Sequence, residues 1–133
     1  MIILSYFLIN MSDKTPNAKK KTVFIAHPVR GDIGGNMEKI INICKEIHNQ
    51  NVIPIAPYLV SLQYLDDNIP NERFLGIEAN LELFHRGYID ELWLFGDRIS
   101  KGMEREILLA IELNIPIVPK TEEVKKDFEK FSS

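Results

Sequence analysis

The stretch DELWLFGDRISKGMEREILLAIELNIPIV, residues 90–118, decides the fold. Its first part, DELWLF (90–95), is a short run of bulky apolar side chains, which predicts a buried strand closed by Gly96. Residues 102–114 then set Ile107, Leu108, Ala110 and Ile111 at helical spacing, which predicts a helix with those side chains inward. IPIV (115–118) predicts another strand. Strand, helix and strand joined by short loops form a βαβ unit, and such units build parallel sheets.

The same alternation extends outward. TVFIAH (22–27) reads as the first strand and runs into a loop rich in Gly and Pro. Met37, Ile40, Ile41, Cys44 and Ile47 mark one face of a helix, with Asn36 as its N-cap and HNQN (48–51) closing it. VIPIA (52–56) reads as a second strand, and Pro54, which lacks an N–H, places it at the sheet edge. Residues 57–69 read as a long mixed loop. A helix follows from near Pro70, with Phe74, Ile77, Leu81 and Phe84 as its apolar positions. Residues 121–131 predict a terminal amphipathic helix, with Thr121 as cap and Val124, Phe128 and Phe131 on one side. The expected fold is α/β: a Rossmann-like or flavodoxin-like doubly wound parallel sheet of about four to five strands in three layers. The chain divides into a lead-in (1–21), a central domain (22–119) and a C-terminal helix (120–133).

Composition narrows the function. The 133 residues suit one domain, and 45% hydrophobic with 26% charged residues excludes a disordered, collagen-like or coiled-coil chain. A net charge of -3 and a pI near 5.6 argue against a binder of nucleic-acid backbone. One cysteine, Cys44, excludes an internal disulfide and a Cys-based zinc site, and it suits a reducing cytoplasm. The three histidines are scattered, so no metal constellation stands out. MIILSYFLIN (1–10) is apolar but half the roughly 20 residues a membrane span needs. It lacks the basic start of a signal peptide. It reads either as an upstream start, with Met11 the natural first residue, or as a short strand or docking arm. Lys14, Lys19, Lys20 and Lys21 read as a solvated lead-in, the alternative being a phosphate contact.

In parallel sheets ligands sit outside the carboxyl ends of the strands, which selects residues 27–36, 57–69 and 96–106. In the first segment, Gly31 with Gly34 and Gly35 before a helix N-terminus suits an anion, and Arg30 suits a bidentate contact. The alternative is a tight turn with a surface arginine, and His27 reads either as a site residue or as a strand-end hydrogen-bonder. The segment is neither a Walker loop nor a GxGxxG motif. In the third segment Glu106 falls in the first helical turn. It reads either as a favourable N-terminal charge or as a nucleophile or base facing the crevice. Glu104 reads as solvent-facing.

FIAHPVRGD (24–32), LDDN (65–68), DELWLFGDRIS (90–100) and GMEREILLAIELNIPIV (102–118) together resemble the nucleoside 2-deoxyribosyltransferase-like superfamily, in its small bacterial and phage branch. That superfamily includes 2-deoxynucleoside 5-monophosphate N-glycosidases. The resemblance covers about residues 22–119. It places a glycine four residues before the catalytic glutamate and a proline ten residues after it, which Gly102, Glu106 and Pro116 match. It implies a glutamate nucleophile, Glu106, that attacks the anomeric carbon of a 2-deoxyribosyl group and expels the base, in the manner of retaining glycoside transfer. It also implies a supporting acid on the helix before the third strand, for which Glu82 stands at a comparable offset; the alternative is a solvent-facing helix residue. Asp66 and Asp67 would contact sugar hydroxyls or else cap a turn. His27-Pro28-Val29-Arg30 replaces the tyrosine or small-residue run the transferases carry. Arg30, Ser100 and the Gly102 amide suit a 5′-phosphate, with Gly31, Asp32, Gly96, Arg73 and Arg98 as further contacts or ordinary surface groups.

The expected activity is cleavage of the base–sugar bond of a 2-deoxynucleoside or its 5′-monophosphate, by hydrolysis or transfer. The alternatives are a non-catalytic module that binds or sequesters a nucleotide, and a purely structural role. The expected partner is a small nucleotide or nucleoside, with no nucleic acid and no membrane. A homo-oligomer would form through residues 58–65 and the N-terminal run. No cofactor is implied; a flavin would fit such a sheet, but no feature requires one.

Overall fold

The computed structural model describes residues 19–132. The apolar run 1–10 and Met11, read above as a start or a docking arm, lie outside the described residues. The strands are β1 (Lys21–Ala26), β2 (Val52–Ile55), β3 (Glu91–Leu94) and β4 (Ile117–Pro119). The helices are α1 (Ile33–Ile47), α2 (Tyr58–Ser61), α3 (Pro70–His85), α4 (Lys101–Glu112) and α5 (Glu122–Ser132). The four strands form one all-parallel sheet in the order β2-β1-β3-β4. This is a three-layer α/β fold of Rossmann-like type, with the start of a flavodoxin-like strand order. Right-handed crossovers put α1 on one face and α2, α3 and α4 on the other. α5 joins α1's face, since Asn36 and Lys39 share a crevice with Thr121 and Glu123.

β1 lies between two neighbours, and Val23, Phe24, Ile25 and Ala26 are wholly buried. That is why its sequence is a continuous apolar run rather than an alternating one. Phe24 meets Phe84 of α3 at 4.9 Å between ring centroids and Tyr58 of α2 at 6.1 Å. The Tyr58 hydroxyl donates to the carbonyl of Ile25, so α2 is fixed beneath the end of β1. β2 is an edge strand, as Pro54 required. Pro70 stands at the first position of α3, where its missing N–H removes no helix hydrogen bond. Thr121 accepts from Val124 N at 3.2 Å and caps α5.

Several local expectations are corrected. α1 starts one turn early, at Ile33, because Asp32 is its N-cap and accepts from Gly35 N at 3.1 Å. Asn36 lies inside the helix and donates from Nδ2 to Val29 O at 2.9 Å. On α1, Ile40 is buried but Ile41 is 52% exposed. On α4 the buried set is Met103, Ile107, Leu109 and Ala110, while Leu108 and Ile111 face solvent. Phe74 on α3 is exposed as well. In each case the helix face is rotated slightly from the one that sequence spacing suggests. The segment 57–69 carries the short helix α2. Its side chains divide between buried Tyr58 and Ser61 and exposed Val60 and Tyr64.

The sheet reverses direction of winding between β1 and β3, and the loops after these two strands meet there. Gly96 makes the meeting possible. Its φ is +95°, and a Cβ at that position would stand 2.7 Å from Pro28 Cδ and 3.3 Å from Pro28 Cγ. Thr121 adds a second tie by donating to Gly96 O at 2.6 Å. Gly96→Ala therefore combines an unfavourable backbone angle with a clash against a rigid ring. Denaturant unfolding should show a loss of about 2 kcal/mol or more, above the roughly 1–3 kcal/mol range's lower end for a strained backbone alone.

Candidate active site

A cavity of about 450 Å³ opens where the loops after β1, β2 and β3 converge. That size falls within the roughly 300–1,000 Å³ of small-molecule sites. Its walls are largely apolar, from Val29, Leu62, Leu65, Ile77, Ile99 and Met103. Arg30, Arg73, Arg98, Lys101 and Arg105 give the lining a cationic excess over Asp67, Glu72 and Glu106. An apolar slot with cationic groups suits a ligand with a flat apolar body and an anionic end.

Glu106 belongs to α4 and lines this cavity. α4 begins at Lys101, so Glu106 sits in the second turn rather than the first. The helix dipole acts mainly within the first turn, where Glu104 sits, exposed. Glu106 thus gains little from the helix terminus. Burial pushes its carboxyl from the ordinary 4.5 up to about 8, against a smaller opposing pull from the Arg105 charge. Tyr58 is close enough for the Glu106 charge to help raise the phenol, after the larger effect of burial.

At the mouth, Asp67 faces Arg30 Nε and Arg73 Nη1, each at 3.2 Å. The carboxylate links the loop after β1 to the loop after β2 and to α3. Ser100 is the N-cap of α4 and accepts from Met103 N at 3.2 Å. The next amides, of Lys101 and Gly102, are first-turn groups without an intrahelical acceptor. A methyl at Gly102 would meet only Ser100 Oγ, at 3.9 Å, so the space beside this glycine belongs to the cavity. His27 is half-buried, and its Nδ1 is 2.6 Å from Pro28 O. Burial lowers its pKa from 6.5, and the Pro28 carbonyl opposes this.

The structure brings together His27, Arg30, Asp67, Arg73, Arg98, Ser100, Gly102 and Glu106. It does not bring in Glu82, which is exposed on α3 and pairs with Arg86 at 2.9 Å. Asp66 also stays outside, accepting from Asn68 N at 2.9 Å in a capped turn. Gly31 and Asp32 do not line the cavity, because the Asp32 carboxylate already occupies the α1 N-terminus. Gly96 lines the neighbouring crevice on the α1 face. Six polar or charged lining residues were not singled out as site residues from sequence: Tyr58, Ser61, Glu72, Asn80, Lys101 and Arg105. Asn80 carried a usable signal, since it falls at helical spacing with Arg73, Gly76 and Ile77 on the inner side of α3. Among the described residues, no group of three His, Cys, Asp or Glu side chains is placed to hold a metal ion. No described helix is long and apolar enough to cross a membrane.

A family model matches residues 21–120, from the start of β1 to the residue after β4. The chain belongs to the DUF7768 family. The family is described as a domain of unknown function. No curated protein and no solved structure matches the chain. The DUF7768 match spans every residue that lines the cavity, while α5 lies beyond it.

Burying Glu106 has a consequence for stability. Between 4.5 and about 8 the folded chain keeps a proton that the unfolded chain has released. Stability therefore falls as pH rises through that window and levels off above it. Glu106→Gln removes the titrating group. Thermal melts should show the variant gaining on the unsubstituted chain as pH rises from 5 to 9, by several degrees at the alkaline end. Parallel pH profiles for the two proteins would show that Glu106 titrates normally.

Proposed function

We propose that this chain cleaves the base–sugar bond of a 2-deoxynucleoside 5′-monophosphate, with Glu106 as the nucleophile. The observation that carries the reading is the Glu106 carboxyl sunk in a largely apolar cavity whose lining also carries arginines and first-turn helix amides. The apolar slot would take the base, and Arg30, Ser100 and the Gly102 amide would take the phosphate. A Glu106 oxygen would bond to the anomeric carbon as the bond to the base nitrogen breaks. The electron pair leaves with the base, which takes a proton from water, and a second water then frees the sugar. The likeness of the strand-end motifs to the nucleoside 2-deoxyribosyltransferase-like superfamily points the same way.

The raised carboxyl pKa favours a second reading. At pH 7 only roughly one Glu106 in ten carries charge, given a pKa of about 8. A site that binds a nucleotide without turning it over would leave Glu106 neutral, as a hydrogen-bond donor to the ligand. The pH profile separates the two. If Glu106 is the nucleophile, kcat/KM rises about tenfold per pH unit and flattens near pH 8. A binding module shows no turnover at any pH, and its affinity for the nucleotide falls above pH 8 as the Glu106 proton is lost.

The direct test incubates the chain with a panel of 2-deoxynucleosides and their 5′-monophosphates and separates the products by chromatography. Free base should appear, and Glu106→Ala should reduce its rate by about 10³-fold or more. Recovery of every nucleotide intact from a folded, ligand-binding chain would favour the binding module.

A further inference from the structure

One buried side-chain polar atom among the described residues lacks a partner, and it belongs to a residue of the same cavity. Asn80 lines the cavity from α3, and its Oδ1 is buried without a hydrogen bond. Among the described residues, no group holds the amide nitrogen either. A buried amide oxygen left unpaired is costly, so such atoms are rare outside sites that a ligand or water completes. The surroundings match a flat ring: Ile77 lies three residues before Asn80 on the same helix, with Leu65 and Met103 also lining the cavity. In the present rotamer Oδ1 is sealed below the cavity surface. The torsion that turns a carboxamide is soft and roughly two-fold, so a half-turn exchanges its donor and acceptor ends.

We propose that Asn80 reads the edge of a planar heterocycle in this cavity, pairing its amide with an adjacent donor and acceptor on the ligand. A carboxamide meets such an edge with two parallel hydrogen bonds, as asparagine does with an amino group beside a ring nitrogen. Asn80 is then a specificity-determining residue: it rewards ligands that carry an exocyclic donor next to a ring acceptor. The inference rests on reading the cavity as a nucleotide site, and it assigns the base to the wall formed by α3.

The test uses free bases, which have no bond to cleave. Isothermal titration of the full chain compares adenine with purine, and cytosine with 2-pyrimidinone; the second member of each pair lacks the exocyclic amino group. The unsubstituted chain should bind the amino base at least tenfold more tightly in one of the pairs. In Asn80→Leu the preference should shrink to within about twofold, while affinity for 2-deoxyribose 5-phosphate stays the same. A preference that survives in Asn80→Leu, or an unsubstituted chain with no preference in either pair, overturns the inference. If the variant does not fold, the side-chain amide resonances of Asn80 in the unsubstituted chain decide. They should shift with the preferred base and not with 2-deoxyribose 5-phosphate, and unmoved resonances overturn the inference. Cleavage of nucleotides without this discrimination would sink the Asn80 assignment alone, whereas discrimination without cleavage would sink the enzymatic reading alone.

Discussion

The last four residues of strand β1 have no solvent face, and the rest of the molecule is arranged around that fact. They are wholly buried between β2 and β3 and between two layers of helices. A strand in that position ends abruptly, because the chain must leave the core in one or two residues. His27 and Pro28 make the exit, and Pro28 packs against Gly96, which makes the matching exit from β3. The Tyr58 hydroxyl on the Ile25 carbonyl fixes the third exit, from β2, to the same place. Three loops are thereby gathered over one end of the sheet. The cavity is the space that they cannot fill.

That geometry governs the electrostatics. The walls come from loop and helix residues that also serve as the outer edge of the core, so they are apolar. A carboxyl placed among them loses hydration without gaining a partner, and Glu106 rises to about 8. The arginines do not offset this. Asp67 already engages Arg30 and Arg73, and Arg98 pairs with Asp97 at 2.9 Å. Arg105 is the cation that does pull the Glu106 carboxyl back toward ionisation, and its effect is the smaller one. An anionic ligand reaching the arginines would compete for the same guanidinium groups as Asp67. Binding at the mouth and the charge state at the floor thus respond to different groups.

The fold was legible because each βαβ unit carries its own signals. The all-apolar run of β1, the proline of the edge strand β2 and the Pro-initiated α3 each follow from backbone chemistry that acts locally. What sequence could not show was rotation of a helix about its axis. Ile107 and Leu108 are equally apolar, yet one is wholly buried and the other 58% exposed. The same uncertainty separates Glu82 from the cavity. Its offset from β3 was right for a helix that reaches the site, but its direction was wrong by about half a turn, and Asn80, two residues earlier, faces the cavity instead. The first loop illustrates another limit. Three glycines before a helix suggest an open anion cradle, but Asp32 places its own carboxylate there. A side chain that serves as a ligand for its own backbone cannot be told from one that leaves the site free until the helix start is known.

The Arg30–Asp67 contact at the mouth does little to hold the cavity in shape. Arg30 is 60% exposed, and an exposed pair contributes about 0–1 kcal/mol. The segment 62–69 is kept over the cavity mainly by Leu62 and Leu65, each of which lines it and one of which packs on the core. Two partly buried leucines stabilise by a few kcal/mol at most, taking about 1.5–3 kcal/mol for full burial of each. The floor is held differently. Met103, Ile107 and Ala110 anchor α4 in the core with almost no exposure, so the backbone of Glu106 is held with the helix. The site therefore joins a carboxyl on a firmly anchored helix to a cover held by fewer buried contacts, so the floor and the cover of the cavity rest on different parts of the core.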